Sequence, residues 1–316
     1  MSSPPALDAA RAVERVSPSW KARFAAWRWR HRQPVIAYTI LTPILLYFLL
    51  FTWVPIVVLA FFSLTEWNVV QWPPTFVGFA NYIQIFTDPY YHNVIRVTIT
   101  IGGITLVANM VLGLTIALLL NEPIRLRGLY RTIWYLPVVI SGAVMAQTLA
   151  IFLYPGQNGV FNSLIGLLGL KPVIWTQSTF WMPVWVILFS VWRGVGSVVI
   201  FFLAGLQSID PSLYEAARVD GAGRWQTFRH ITIPQLAPIT LFVLVTQCVG
   251  CLQIWEAPLV LTFGGPDNST RTMVYSLYSD AFGNLTMGLA TAQSVILLVV
   301  LMALSAINLR VFRVRY

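Results

Sequence analysis

The amino-acid sequence predicts an all-α, polytopic membrane protein with six transmembrane helices. Of its 316 residues, 57% are apolar and only 10% are charged, whereas about a quarter of the residues of a soluble domain are charged. The few charges lie in short gaps between long apolar runs. A helix crosses the bilayer core with about 20 apolar residues, so these runs are long enough to span it.

Six stretches of the chain have the length and composition of a membrane-spanning helix. They are Val35 to Thr65, Val97 to Asn121, Thr132 to Leu153, Gln177 to Leu206, Pro238 to Phe263 and Leu285 to Leu309. The apolar piece from Val160 to Leu170 is too short to cross, and it predicts a helix at the membrane interface or inside the outer vestibule. An even number of spans places both chain termini on the same side of the membrane.

The distribution of basic residues predicts which side that is, because lysine and arginine near the ends of spans stay in the cytoplasm. Sixteen of the 20 lie on one side: seven in residues 1–34, three in each loop after spans two and four, and three in residues 310–316. Both termini are therefore expected in the cytoplasm, with a transmembrane domain at 35–309 between two tails. The net charge of +9 is dispersed among apolar runs, so it does not indicate a nucleic-acid partner.

The N-terminal tail, residues 1–34, has the pattern of a short interfacial helix. Ser17-Pro18 is a typical helix start, and Trp20, Phe24 and Trp27 then fall on one helical face among basic residues. This pattern predicts a helix that lies on anionic membrane lipid. A solvated basic tail that only sets the orientation of the protein is the alternative.

Neither the cysteines nor the histidines have the pattern of a reactive or metal-binding site. Cys248 and Cys251 share one face of an uncharged helix, without the nearby charge that activates a redox thiol, so a packing role is predicted. His31, His92 and His230 lie far apart in the sequence, without the spacing of metal ligands. The sequence therefore predicts no metal site.

The loop between spans four and five, residues 207–236, is polar and rich in local structural signals. Asp210-Pro211 is a helix start, because the carboxylate accepts hydrogen bonds from free amides and proline loses no hydrogen bond there. Gly221 can end this helix in the left-handed conformation. The loop is called the coupling segment below.

A second short helix is expected in the coupling segment, from about Ala222 to Ile231. It should end before Pro234, because a residue that precedes proline avoids helical geometry. Two short helices joined at a glycine and exposed on the cytoplasmic face form a surface on which a partner protein can dock.

Within the coupling segment, Glu215-Ala216-Ala217 is followed by Gly221 six residues after the glutamate, and Ile233-Pro234 closes the segment. This motif resembles the EAA loop of permeases in binding-protein-dependent ABC importers. In that family the loop forms the coupling helix that sits in a cleft of the ATPase subunit. The resemblance implies the following ATPase-coupling residues: Tyr214, Glu215, Ala216, Ala217, Asp220, Gly221, Ala222, Phe228 and Pro234.

Further motifs extend the resemblance over nearly the whole chain after the N-terminal tail. They are Thr42-Pro43, Phe76-Val77-Gly78-Phe79-Ala80-Asn81-Tyr82, Gly113-Leu114, Leu118-Leu119-Leu120-Asn121, Arg131, Leu136-Pro137, Leu203-Ala204-Gly205-Leu206-Gln207 and Thr262-Phe263-Gly264-Gly265-Pro266. These pieces are similar to the carbohydrate-uptake branch of the family, which includes the larger permeases of maltose and glycerol-phosphate transporters. The resemblance implies a type I ABC importer permease (MetI-like) fold in the bacterial inner membrane.

The resemblance implies a transport subunit and not an enzyme. The chain would form the path for a sugar or sugar-like solute, next to a second permease subunit in a heterodimer or, alternatively, a homodimer. Its other partners would be ABC ATPase subunits inside and an extracytoplasmic solute-binding protein outside. The only lysines, Lys21 and Lys171, do not belong to a Gly-Lys-Ser/Thr phosphate-binding loop. No cofactor is therefore expected in this chain, and ATP and magnesium would bind the partner ATPase.

Two other classes of transporter remain open. An ABC permease for an anion or a peptide would carry the same coupling segment. A secondary transporter or channel would keep coupling-ion carboxylates or a repeated pore motif within the membrane, and Glu256 is the one carboxylate inside a predicted span.

Polar and aromatic side chains inside the spans are candidates for the solute path. Amides and aromatic faces match the hydroxyls and apolar patches of a sugar, and amides are costly to bury unpaired. Arg193 and Glu256 are charges within spans, so each should face a partner or a water-filled cavity. The candidates are Asn109, Gln147, Trp192, Arg193, Gln247, Gln253, Trp255 and Glu256. Ordinary packing between helices is the alternative role for the uncharged members, and a purely structural ion pair for the charged ones.

Overall fold

The computed structural model describes Trp20, residues 37–156 and residues 159–311. Trp20 is helical, but the rest of the predicted interfacial helix and nearly all of the predicted C-terminal tail lie outside the described residues. The chain divides into two compact units, Met1–Val58 and Leu59–Tyr316. Helix α1 (Ala37–Phe62) begins in the first unit and ends in the second.

Proline explains a local irregularity of α1. The helix widens into a π-helical segment at Leu49–Trp53, and the Val54 amide donates to the Leu49 carbonyl oxygen. Pro55 follows at once. A proline within a helix removes one amide donor and crowds the preceding turn, and a wider turn relieves that crowding. The predicted first span therefore continues through Pro55, as it does through Pro43.

Within the described residues of the second unit, the regular elements are helices and one short hairpin, joined by loops. Its helices are α2 (Ala80–Thr87), α3 (Pro89–Asn121), α4 (Arg127–Val139), α5 (Gly142–Phe152), α6 (Val160–Leu167), α7 (Trp181–Ser208), α8 (Pro211–Val219), α9 (Arg224–Gln235), α10 (Ala237–Leu252), α11 (Met273–Tyr278) and α12 (Met287–Val311). Single turns of 3₁₀ or π helix cover Trp175–Gln177, Phe228–Thr232 within α9, Pro258–Thr262 and Ser279–Gly283.

The hairpin pairs β1 (Thr65–Glu66) with β2 (Thr75–Phe76) in antiparallel register. The buried Asn81 side chain secures it, because its amide donates to the carbonyl oxygens of Ser63 (3.0 Å) and Thr65 (2.9 Å). The Phe76 to Tyr82 motif of the sequence thus supplies one strand residue of the hairpin, Phe76, and the side-chain amide of Asn81 that binds the opposite strand.

Among the described residues, α1, α3, α7 and α12 are individually long and apolar enough to cross a membrane. Two bent pairs, α4 with α5 at 95° and α9 with α10 at 65°, bring the number to as many as six. The predicted third span, Thr132 to Leu153, is therefore not one straight helix. Ile140 and Ser141 have extended backbone between α4 and α5, after Pro137 has weakened the last turn of α4.

Two other spans differ from their predicted limits. Helix α3 begins at Pro89 and not at Val97, because the Asp88 carboxylate caps it by accepting from the Tyr90 amide (2.8 Å). The predicted fifth span, Pro238 to Phe263, stops being helical after α10 and becomes helical again at Glu256, just before the π turn Pro258–Thr262. Irregular backbone at membrane depth is tolerated where it lines a cavity.

The core of the second unit is the packing of α7 against α3 and α4. Small residues allow these helices to approach closely, as is usual between membrane helices. A Cβ atom on Gly113 of α3 would lie 2.3 Å from Val198, and one on Gly196 of α7 would lie 2.1 Å from the Trp134 carbonyl oxygen. This packing fixes α7 as the wall against which the functional side chains are arranged.

Cys248 and Cys251, which the sequence assigns to packing, lie on α10 as free thiols. Cys251 is buried, and a Cβ atom on Gly102 of α3 would lie 2.7 Å from its carbonyl oxygen. The cysteine backbone thus belongs to the tight contact between α3 and α10.

Candidate functional site

A cavity of about 410 Å³, called the polar cavity below after the amide, hydroxyl and charged side chains among those that line it, lies between α3, α7, α10 and the irregular segment that follows α10. Six of the candidate path residues line it: Asn109, Arg193, Gln247, Gln253, Trp255 and Glu256. Gln253 and Trp255 reach the cavity because α10 ends at Leu252. The interruption of the predicted fifth span therefore creates one wall of the cavity.

The two charges within the predicted spans face each other in this cavity. Arg193 of α7 donates from Nη1 to Oε2 of Glu256, and the two side chains are 36% and 26% exposed. Arg193 Nε is buried and has no hydrogen-bond partner among the described residues. An ion pair inside a cavity avoids the cost of isolated charges in hydrocarbon.

Gly142 is a third component of the ion-pair site that the sequence analysis did not identify. A Cβ atom at this position would lie 2.1 Å from Glu256 Oε2 and 2.8 Å from Arg193 Cζ. Gly142 is the first residue of α5, directly after the 95° break in the predicted third span. The break, α7 and the segment after α10 therefore meet at one point, where a Cβ atom fits only if the ends of the Glu256 and Arg193 side chains shift.

The amide side chains of the cavity form a partly satisfied hydrogen-bond network. Asn109 Nδ2 donates to Gln247 Oε1 (3.1 Å), and Gln247 Nε2 donates to Ser197 Oγ (3.3 Å). Asn109 Oδ1 and Thr105 Oγ1 are buried without a partner among the described residues. Buried polar atoms are rarely left unpaired, and both residues line the cavity, so both unpaired atoms belong to side chains of the cavity wall.

The remaining two path candidates do not line this cavity. Trp192 is half exposed and lines a separate, mostly apolar cavity of about 500 Å³ between α5 and α7. Gln147 is exposed on α5 and is not among the residues that line either cavity. The sequence shows that Trp192 precedes Arg193, but adjacent residues on a helix point about 100° apart.

In the coupling segment, α8 begins and ends at the predicted residues. The Asp210 carboxylate accepts a hydrogen bond from the Ser212 backbone amide (2.9 Å). This bond and, to a lesser extent, one from the Ser212 side chain lower the pKa of the exposed Asp210 carboxyl. Gly221 has a φ of +73°. The Gly221 amide donates to Arg218 (3.1 Å) and the Ala222 amide to Ala217 (2.9 Å), the two bonds of a Schellman motif.

The predicted end of the second short helix before Pro234 is wrong. Helix α9 continues through Pro234 to Gln235 and bends only afterwards, by 65°, into α10. The π turn Phe228–Thr232 precedes the proline, and the Ile233 amide donates to the Phe228 carbonyl oxygen. As in α1, a widened turn accommodates the missing proline donor.

The predicted coupling residues fall into an exposed group and an anchoring group. Glu215, Ala216, Asp220, Gly221 and Pro234 are exposed, whereas Ala217 is buried and Tyr214, Ala222 and Phe228 are partly buried. The Tyr214 hydroxyl is 3.2 Å from Thr232 Oγ1, which joins α8 to α9. The Glu215 side chain makes no hydrogen bond or ion pair within the described part of the chain.

Trp225 is an exposed aromatic residue of the coupling segment that the sequence analysis missed. It lies on α9 between two polar residues, is 69% exposed and packs on Phe228 with ring centroids 5.6 Å apart. An aromatic side chain in a short polar helix is the signal that could have identified it, since exposed aromatic residues mark interfaces.

The base of the coupling segment is joined to two other helices by arginine. Arg127 donates to the carbonyl oxygen of Leu120 at the end of α3. When the amide oxygen of Gln207 faces the guanidinium groups, it accepts from Arg127 (3.0 Å) and Arg131 (2.7 Å). The end of α7, from which the coupling segment starts, is thereby linked to α3 and α4.

Residues 109–313 match the family described as the binding-protein-dependent transport system inner membrane component. The chain belongs to this family and is an integral inner-membrane component of an ABC importer, which confirms the resemblance inferred from the coupling segment. The secondary-transporter alternative is thereby set aside.

Curated relatives cover most of the chain. It is 33% identical over 287 residues to the probable ABC transporter permease protein YurN of Bacillus subtilis, covering 90% of this chain and 98% of that protein. It is 34% identical over 238 residues to the sn-glycerol-3-phosphate transport system permease protein UgpA of Agrobacterium fabrum, covering 74% and 80%. These relatives are transport subunits, so the expected class, a permease and not an enzyme, is confirmed.

The fold is also that of a solved ABC importer. The chain is similar to a chain of a bacterial ABC transporter involved in the import of the acidic polysaccharide alginate, with a TM-score of 0.78, 27% identity and coverage of 92% of this chain and 98% of that one. A second structure of a bacterial alginate transporter includes an alginate pentasaccharide-bound periplasmic protein. The predicted all-α importer permease fold is confirmed.

Proposed function

We propose that this chain forms the solute path of an ATP-driven importer for a sugar or sugar-like solute. The observation that carries the proposal is the cavity beside α7, in which amides, an aromatic ring and an ion pair converge. The hydroxyl groups of such a solute match the amide, hydroxyl and charged side chains that line this cavity. The named solutes of relatives, sn-glycerol-3-phosphate and alginate, are polyhydroxyl compounds.

The basic residues support an orientation with both termini in the cytoplasm. In that orientation the coupling segment is cytoplasmic, and the segment between α10 and α12 is outside. Solute would arrive from an extracytoplasmic binding protein, as in the alginate transporter complex, and ABC ATPase subunits would bind the exposed face of the coupling segment. ATP and magnesium would bind those ATPase subunits and not this chain. A second, different permease subunit would complete the path.

Glu215 and Gly221 have separate roles in this proposal. Glu215 is exposed without a partner of its own in the described chain, so its charge is available to an ATPase subunit. Gly221 turns the chain from α8 towards α9 and sets the shape of the docking surface. Trp225 supplies an apolar contact area next to them.

Purification of the complex and an ATPase assay test the proposal. The chain should co-purify with an ATPase pair and a second permease subunit. In proteoliposomes, ATP hydrolysis should rise when the cognate binding protein is loaded with one of a panel of mono- and oligosaccharides, and not with amino acids, peptides or inorganic anions. Stimulation by an anion or a peptide would support a non-sugar importer, and the absence of any ATPase partner would contradict the proposed coupling.

A further inference from the structure

A row of three aromatic side chains leads from the rim of the cavity to the surface. The rings of Trp255 and Tyr278 have centroids 6.0 Å apart, and those of Tyr278 and Phe282 have centroids 5.2 Å apart. Trp255 lines the polar cavity. Trp255 and Tyr278 are each 38% exposed and Phe282 is 67% exposed, so the end of the row farthest from the cavity is the most exposed.

The outer part of the aromatic row is held in a fixed position by a buried carboxylate. Asp280, between Tyr278 and Phe282, is 3% exposed. It accepts hydrogen bonds from Gln293 Nε2 (2.7 Å), Asn284 Nδ2 (2.9 Å) and the Tyr91 hydroxyl (3.2 Å). These bonds tie the π turn that carries Phe282 to α12 and α3. Phe282 is therefore presented to the surface on a rigid support, and rigid groups bind with a smaller loss of entropy.

The inner end of the row favours a solute over lipid as its ligand. Trp255 shares the cavity with Gln253, Arg193 and Glu256, and amides with a charged pair do not suit an acyl chain. Tyr278 and Phe282 belong to the segment between α10 and α12, which the proposed orientation places outside. The row therefore begins where solute would arrive and ends at the groups that would bind its hydroxyls.

We propose that Phe282, Tyr278 and Trp255 form a stacking path for pyranose rings, along which a sugar passes from the outer surface into the cavity. This inference rests on the proposed function. A pyranose face on which C–H bonds and no axial hydroxyls point outwards packs on an aromatic face, because aromatic side chains offer a large apolar surface. Several weak sites in series suit transport, since a solute must be able to leave each site as well as enter it.

Saturation-transfer difference NMR on the assembled importer in nanodiscs tests this path. The probes are methyl β-D-galactopyranoside, whose ring has an apolar face, and galactitol, an acyclic polyol without such a face. The wild-type importer should transfer saturation to the ring C–H protons of the pyranoside and much less to galactitol. Phe282→Leu keeps an apolar side chain but removes the ring, and it should weaken pyranoside binding by about threefold to tenfold, from the usual strength of aromatic contacts.

Phe79→Leu is the matched control, because Phe79 is 70% exposed and contacts Tyr82 outside the aromatic row. Equal transfer to both probes, or equal losses in the Phe282 and Phe79 variants, would overturn the inference. A Phe282 variant that transfers saturation normally but needs more binding protein for ATPase stimulation would assign Phe282 to protein docking and would also overturn it. ATPase stimulation of the wild type is measured in parallel. Its absence would contradict the proposed function itself, whatever the NMR result.

Discussion

The coupling segment and the polar cavity are held together by interactions of different range. In the coupling segment, Asp210 caps α8 through a residue two positions away, and Gly221 closes it through bonds that reach back to Ala217. In the cavity, Arg193 and Glu256 are 63 positions apart, and Gly142 approaches both from a third element. A change in the first region should act through local backbone shape, and a change in the second through the packing of distant helices.

The largest effect is expected at Gly221, where the backbone alone limits substitution. Its φ is +73°, and a Cβ atom there would meet no atom within 4 Å. Gly221→Val would therefore add strain of about 1–3 kcal/mol without a steric clash, and the segment would relieve it by changing its shape. We expect at least about a tenfold loss of solute-stimulated ATPase activity, with the permease still folded in the membrane.

Two variants of the same segment make the Gly221 experiment specific. Gly221→Asn should restore part of the activity, because asparagine tolerates the left-handed conformation. Gly223→Ala should be nearly neutral, since Gly223 has a φ of −70° and a Cβ atom there would lie 3.8 Å from Gln226 Oε1. Normal solute-stimulated ATPase activity in Gly221→Val would show that the shape of this turn does not affect coupling to the ATPase.

The second-largest effect is expected at Gly142, where close packing against Glu256 and Arg193, and not the backbone conformation, restricts substitution. In Gly142→Ala the added methyl group would displace the Glu256 carboxylate from Arg193, and overpacking of this kind costs about 1–3 kcal/mol. We expect a lower unfolding temperature of the purified importer and slower transport. Gly128→Ala on α4 is the control, because a Cβ atom there meets nothing within 4 Å. Equal stability and transport in the Gly142→Ala and Gly128→Ala variants would contradict this prediction. The break between α4 and α5 could then move away from the ion pair.

A double-mutant cycle on Arg193→Gln and Glu256→Gln measures the ion pair itself. The side chains are 36% and 26% exposed, so the loss in each single variant should lie between the ~0–1 kcal/mol of a surface pair and the ~3–5 kcal/mol of a buried one. Transport by the double variant should fall little further than transport by the more impaired single variant. This non-additivity corresponds to a coupling energy of about 0.5–3 kcal/mol. Transport rate and apparent affinity are the measurements, and additive losses would show that the two residues act apart.

The same contrast explains which features could be predicted from the sequence. The start and end of α8 were predictable because Asp210, Pro211 and Gly221 act on their own neighbours. The similar start of α3 at Asp88 and Pro89 was missed, although it carries the same signal. The helix through Pro234 was mispredicted, because a π turn several residues earlier accommodates the proline.

The cavity was predictable in its residue types but not in its geometry. Amides and charges within apolar spans are costly, and this cost identified Asn109, Arg193 and Glu256. The same reasoning selected Gln147, which is exposed and does not line the cavity, because the cost of burying an amide does not show which way its side chain points. Gly142 carries no polar group, so its role depends entirely on which distant side chains lie against it.

The smallest effect is expected at Asp210, the exposed cap of α8, and it concerns pH. Hydrogen bonds from Ser212 lower the pKa of the Asp210 carboxyl below its usual value. A carboxyl with a lowered pKa stabilises the folded state above the usual aspartate pKa of about 3.9. That stabilisation is lost as the pH falls through the lower pKa of the folded state.

Hydrogen exchange followed by mass spectrometry on the peptide that contains α8 should therefore quicken in this acidic range relative to Asp210→Asn, whose amide oxygen keeps the cap and does not titrate. Asp210→Ala removes the cap and should exchange faster than both at neutral pH, whereas equal exchange in all three would show that α8 is held by Tyr214 and Ala217 and not by its N-terminal cap.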